Sequence, residues 1–297
     1  MANELTMQTA NAQAVPEDPG SREAFVERCR LYVLDRIEQQ PVGETPFYHL
    51  FIDQVFPPDL YAALRTYMLD CKYGSETTDR LQDNPGFVNR RFNLFESQHP
   101  AIQVFRAIFA DAEVKQAFLR KFYLRDIDTL ADAVEIHVEF EYFFTQAGRF
   151  QNIHVDIPPK YLSFVFYIPE HPVPEEEEKH NATILYDKDL NPHYNARFRA
   201  NSVCVFAPHF YSYHGFASTI DRDVLVLFYV SPEELRGWQQ LQREHPEAPP
   251  FDGIRDVTAA KLRRFPLIEY GSSENRLLSE REGCRINARQ GRVIRDV

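Results

Sequence analysis

Four residues in the 297-residue chain could do chemistry together: His154, Asp156, His214 and Arg222. A histidine, one intervening residue, an aspartate and a distant second histidine match the ligand set that holds one face of an Fe(II) ion and leaves the other face open. In a β-strand, residues two apart point to the same side. His154 and Asp156 can therefore reach one metal from a strand or its end, while Val155 points away to pack. His214 precedes Gly215, where the backbone can turn sharply. Arg222 opens the run Arg222–Val230, and a guanidinium there can grip a carboxylate through two parallel hydrogen bonds. The simpler alternative is that Arg222 pairs at the surface with Asp221 or Asp223. His209 is a rival to His214 as second imidazole.

These residues need strands to position them. Residues 133–143 alternate most clearly: Val134, Ile136, Val138, Phe140 and Tyr142 form one face, and Glu135, His137, Glu139 and Glu141 form the other. The acidic face is either a solvated outer surface or a cavity wall suited to a cationic group. Residues 161–168 are almost continuously apolar, as expected of a strand covered on both faces. Residues 201–206 and 223–230 complete the set of expected strands.

The stretch from 47 to 232 resembles the Fe(II)/2-oxoglutarate-dependent oxygenases, in the style of their prolyl-hydroxylase-like branch. The resemblance rests on His154, Asp156, His214 and Arg222 in that order, and on the run Tyr142–Phe150 with Gly148 before the first histidine. Arg222 follows His214 slightly sooner than the family pattern, and Val224 stands where the family has a small or hydroxylated residue. The resemblance implies a mainly β fold, a double-stranded β-helix (jelly roll) with N-terminal helices packed on one sheet. It implies metal ligation by His154, Asp156 and His214, and 2-oxoglutarate held by Arg222, with Tyr167 a candidate helper or else a core tyrosine. The implied cofactors are Fe(II), 2-oxoglutarate and dioxygen, with ascorbate a candidate reductant. A carboxylate at position 156 implies hydroxylation, desaturation or ring formation rather than halogenation. The expected substrate is a small molecule such as an amino acid or natural-product intermediate. A protein side chain is the runner-up, and a non-catalytic jelly-roll module or a cupin-type metalloenzyme the remaining alternatives.

Composition narrows the partners. A net charge of −11 lacks the basic footprint that nucleic-acid binding needs. No apolar run is long enough to span a bilayer, so no membrane partner is expected. The four cysteines show neither a CxxC pattern nor a disulfide framework, which suits reduced thiols and a cytoplasmic location. Oligomeric state is left open.

Along the chain, residues 1–20 read as a disordered leader, 21–245 as the oxygenase domain with its core at about 130–232, and 246–297 as a C-terminal extension. Expected helices start at Ser21, at Pro57-Pro58, at Pro100 (continuous to Tyr123), at Ser231 and near Val257. Residues 74–85 and 187–198 read as loops, the second a candidate lid. Glu175–Glu178 reads as a solvated surface segment.

Overall fold

The computed structural model describes residues 15–16, 18–74, 79–84, 87–122, 136–156, 159–187, 189–208 and 212–232, a few positions between 235 and 243, and the strands 284–287 and 292–295. His209, Trp238 and the expected helix near Val257 lie outside the described residues.

Among the described residues four helices precede the β core. Helix α1 (Pro19–Gln39) begins two residues before the expected cap at Ser21: Asp18 is the cap, and its Oδ2 accepts from Ser21 N at 2.9 Å. Helix α2 (Pro58–Tyr73) starts with proline at its first position, where no backbone donor is needed. The expected single helix from Pro100 is two, α3 (Pro100–Ala110) and α4 (Ala112–Phe122). Asp111 breaks the run. It is extended, and its Oδ1 accepts from Glu113 N and Val114 N, so it caps the second helix.

The strands are β1 (His49–Ile52), β2 (Asp79–Asn84), β3 (Phe87–Asn93), β4 (His137–Thr145), β5 (Phe150–His154), β6 (Lys160–Tyr167), β7 (Ile184–Tyr186), β8 (Pro192–Asn195), β9 (Ser202–Phe206), β10 (His214–Ala217) and β11 (Arg222–Val230). A hairpin, β12 (Cys284–Asn287) and β13 (Arg292–Arg295), follows far downstream. One sheet runs β1-β9-β6-β11-β4-β3-β2 and the other β12-β13-β5-β10-β7-β8. Successive strands from β4 to β11 therefore split between two antiparallel sheets. Within them β9-β6-β11-β4 faces β5-β10-β7-β8, the winding of a double-stranded β-helix.

Three expected loops contain structure. Residues 79–84, expected in a loop, pair along β3. Residues 192–195, in the expected lid, pair with β7. The turn between β7 and β8 is tied by Asp187, whose Oδ1 accepts from Asp189 N and Asn191 N, and Leu190 takes φ 64°. Glu175–Glu178 is a one-turn helix, α5, solvated as expected at Glu175 and Glu176 but not at Glu178. Glu178 is buried because Arg199 binds both its oxygens, at 2.8 and 2.9 Å.

Alternation along β11 organises the interior. Leu225, Leu227 and Tyr229 face the helices and join Phe140, Tyr142 and Phe144 of β4 and Leu162, Phe164 and Phe166 of β6 in the larger core cluster. Val224 and Val226 face the other way, into the space between the sheets, with Tyr167, Cys204 and Phe206. Both faces of β6 and β11 are thus covered, as their continuous apolar sequences require. Cys29, Cys71 and Cys204 are buried free thiols. Among the described residues no helix is long and apolar enough to cross a membrane.

Candidate metal centre

The space between the sheets holds a cavity of about 350 Å³ whose wall includes His154, Asp156, His214 and Arg222. Sheet register brings the histidines together. His154 ends β5, His214 starts β10, and the two are direct antiparallel partners. Directly opposed residues have Cβ atoms about 4.5–5.5 Å apart, and here the imidazole centroids are 4.1 Å apart. Gly215 does not form the expected turn. It lies at a register shift in the β10–β5 pairing, a bulge that re-aims His214 at the strand end. The required turn glycine is Gly148, between β4 and β5, with φ 78°.

Asp156 lies just past the end of β5. Its Oδ2 is 3.9 Å from His214 Nε2, and one donor atom from each of His154, Asp156 and His214 lies within 4.8 Å of the others. Donors at about 2.0–2.2 Å from one ion stand about 3–4 Å apart, so modest side-chain adjustment would let all three meet a first-row metal. Among the described residues this is the one group of three such ligands. His214 is already in the correct tautomer. Its Nδ1 donates to Ser212 O at 2.9 Å, which leaves the Nε2 lone pair facing Asp156. Burial lowers the His214 pKa, against the opposing pull of Asp156, which favours the neutral ligand form.

Two residues that sequence reading missed hold Asp156. Lys160 Nζ donates to Oδ1 at 2.9 Å, and Ser163 Oγ donates to Oδ2 at 2.5 Å. Burial alone would raise the carboxyl pKa. Lys160, the two histidines and the Ser163 hydroxyl outweigh it and keep the group well below the usual carboxylate range. Lys160 follows Asp156 by four residues and Ser163 by seven. Neither carried a signal, because among the described residues no regular element joins Asp156 to β6 and so no periodicity links the three residues. Gln151 is a third neighbour, its amide nitrogen 3.2 Å from His154 Nε2.

Arg222 occupies another part of the cavity wall and is 3 % exposed. Its Nε donates to Asn181 O at 3.2 Å and its Nη2 to Thr183 Oγ1 at 3.1 Å, and its guanidinium lies 3.9 Å over the Phe216 ring. It does not pair with its neighbours in sequence. Asp221 accepts from Ala147 N, and Asp223, on the helix side of β11, is held by Lys72 and Tyr142. The guanidinium therefore has no carboxylate at ion-pair distance among the described residues. Burial pushes its pKa down to about 10, so it stays charged at neutral pH. Directly opposite on β4 is Thr145, whose Oγ1 is buried on the same cavity with no hydrogen-bond partner among the described residues. A buried cation without an anion and a buried hydroxyl without a partner fit a carboxylate-bearing co-substrate.

Tyr167 stands behind this wall. It is fully buried, its hydroxyl accepts from Thr183 N at 3.2 Å, and its ring lies 5.7 Å from the Arg222 guanidinium carbon. It supports Thr183 and Arg222, and the cavity wall is formed without it.

No family model and no curated protein matches the chain. Among solved structures the chain is similar to a Pseudomonas putida prolyl-4-hydroxylase, at 15% identity over 68% of this chain and 98% of that one, with a TM-score of 0.47. It is also similar to a Trichoplax adhaerens prolyl hydroxylase solved with a hypoxia-inducible-factor peptide (11% identity, 73% and 96% coverage, TM-score 0.49). A third similar structure is the dioxygenase for auxin oxidation 1 from Arabidopsis thaliana, solved with 2-oxoglutarate (9% identity, 68% and 88% coverage, TM-score 0.44).

Proposed function

We propose that the protein is an Fe(II)- and 2-oxoglutarate-dependent dioxygenase that hydroxylates a C–H bond of a small molecule. The observation that carries this reading is one cavity walled by two imidazoles, one carboxylate and a buried, carboxylate-free arginine. A metal site alone would not require Arg222, and a non-catalytic jelly roll would require neither.

His154, Asp156 and His214 would hold the metal on one face, which leaves coordination positions for other ligands. When bound, Fe(II) with 2-oxoglutarate and dioxygen supplies the oxidising power to break a C–H bond, as 2-oxoglutarate becomes succinate and carbon dioxide. The chain's own work is positional. Lys160 and Ser163 keep Asp156 ionised and fix its orientation. Asn181 and Thr183 aim Arg222, whose remaining donors and charge face the cavity to receive the distal carboxylate of 2-oxoglutarate. Val224, Val226 and Phe206 line the same space and exclude water, which strengthens each charge-assisted contact.

The test is anaerobic loading with Fe(II), then addition of 2-oxoglutarate and air, with succinate measured. Stoichiometric iron and iron-dependent succinate formation are expected. Tight metal binding without any 2-oxoglutarate consumption would favour a cupin-type metalloenzyme instead.

A further inference from the structure

A second cavity, of about 770 Å³, opens beside the metal-facing one, and the two share Arg91, Lys160 and Phe228 as walls. It sits where β3 stops covering β4. The last pair is Asn93 with Glu141, and among the described residues no strand covers 137–140 of β4 on that side. Helices α3 and α4 close the gap with Arg106 and Lys115.

The charges along this cavity do not cancel. Arg91 is engaged by Glu141, and Lys160 by Asp156. Among the described residues Arg106 has no ion-pair partner, and its Nε and Nη2 are buried with no acceptor. Its guanidinium carbon lies 5.4 Å from the Phe95 ring centroid and 5.7 Å from that of Phe140. Lys115 is 5 % exposed, and its Nζ donates to the Ile136 carbonyl at 2.6 Å. Against these two cations stand Glu139, which is exposed, and Asp111, a partly exposed carboxylate between the two helices that acts on Lys115 but makes no ion pair with Arg106 among the described residues. A desolvated charge without a counter-ion is costly and calls for an explanation. The acidic face of β4 is thus answered by cations from β3 and the helices, the reverse of a wall built for a cationic ligand. Phe95, half-exposed, and Phe228 add apolar surface.

We propose that this outer cavity binds the prime substrate and that the substrate is an organic carboxylate, its anionic end compensating Arg106 and Lys115 and its apolar stem running past Phe228 toward the metal-facing cavity. The volume suits a ligand of that class. As a substrate assignment, this rests on the oxygenase reading. As a binding site, it can be tested separately.

The full-length protein, with and without metal, is titrated with matched sets on one aryl and one alkyl stem: 3-phenylpropanoate, its amide and 3-phenylpropylamine, then octanoate, octanamide and octylamine. Carboxylates of at least one stem should bind about tenfold or more tightly than the amide, and the amine should bind least. Arg106→Gln should remove that preference and Arg106→Lys keep part of it, while 2-oxoglutarate affinity stays at the wild-type value. The proposal is overturned if all three headgroups bind alike, if no carboxylate binds, or if a folded Arg106→Gln variant keeps the preference. Carboxylate binding that depends on Arg106 in a protein that forms no succinate would defeat the oxygenase reading and leave the site standing.

Discussion

Replacing Arg222 probes the co-substrate assignment most directly. The guanidinium spends Nε on Asn181 O and one Nη2 hydrogen on Thr183 Oγ1. Tyr167 also acts on the guanidinium from behind the wall, and the donors left on Nη1 and Nη2 would serve two parallel charge-assisted bonds to a ligand. Each is worth roughly 1.5–3 kcal/mol, so the lower bound for losing both is about 3 kcal/mol, or about a hundredfold in affinity. Arg222→Gln keeps polarity and most of the volume while removing the charge. Its 2-oxoglutarate KM, read from succinate formation, should rise by about that factor. Cobalt(II) bound in place of iron should show unchanged stoichiometry, because Arg222 is not a ligand. Arg222→Lys should lie between, since the point charge survives but the fork does not. Melting curves separate this effect from loss of fold, because Asn181 O loses a donor in both variants. If a folded Arg222→Gln protein keeps wild-type affinity for 2-oxoglutarate, the reasoning from a buried, anion-free guanidinium is wrong.

His154→Ala should abolish stoichiometric metal binding with little change in melting temperature, as measured by metal titration and calorimetry. Wild-type metal content in that variant would refute the ligand set. Thr145→Val removes a hydroxyl that has no partner among the described residues, so stability should hold or rise slightly. Its 2-oxoglutarate affinity should nevertheless fall by about tenfold if that hydroxyl receives the co-substrate. Lys72→Met strips the buried Asp223 of its cation, with the two side chains 3 % and 1 % exposed, and should cost about 3–5 kcal/mol in denaturant unfolding near neutral pH. Burial raises the Asp223 pKa above its unfolded value, while Tyr142 and Lys72 oppose the rise. Removing Lys72 lets it rise further. A raised carboxyl favours the folded state when protonated, so that contribution is lost as pH climbs through the folded pKa. The Lys72→Met penalty should therefore be smaller at pH 5 than at pH 8, and a penalty that grows on acidification would contradict the assignment.

The sequence by itself determined the elements with strong local signals. The alternation through Phe140 and Tyr142, the apolar runs of β6 and β11, and the prolines opening α2 and α3 are short-range patterns set by side-chain period and backbone chemistry. The spacing of His154 and Asp156 was legible for the same reason, and a distal histidine and arginine completed a recognisable order. Tertiary structure alone decided the rest. Asp111 splitting a helix depends on one side chain capturing two backbone donors. Strands β2 and β8 have weak intrinsic patterns and exist because β3 and β7 offer edges to pair with. That Lys160 and Ser163 hold Asp156, that Thr145 faces Arg222, and that buried donors of Arg106 lack an acceptor among the described residues are consequences of how separate segments of the chain pack. A local sequence pattern carries no record of which distant partner arrives, because register and sheet closure are set by burial of the whole core.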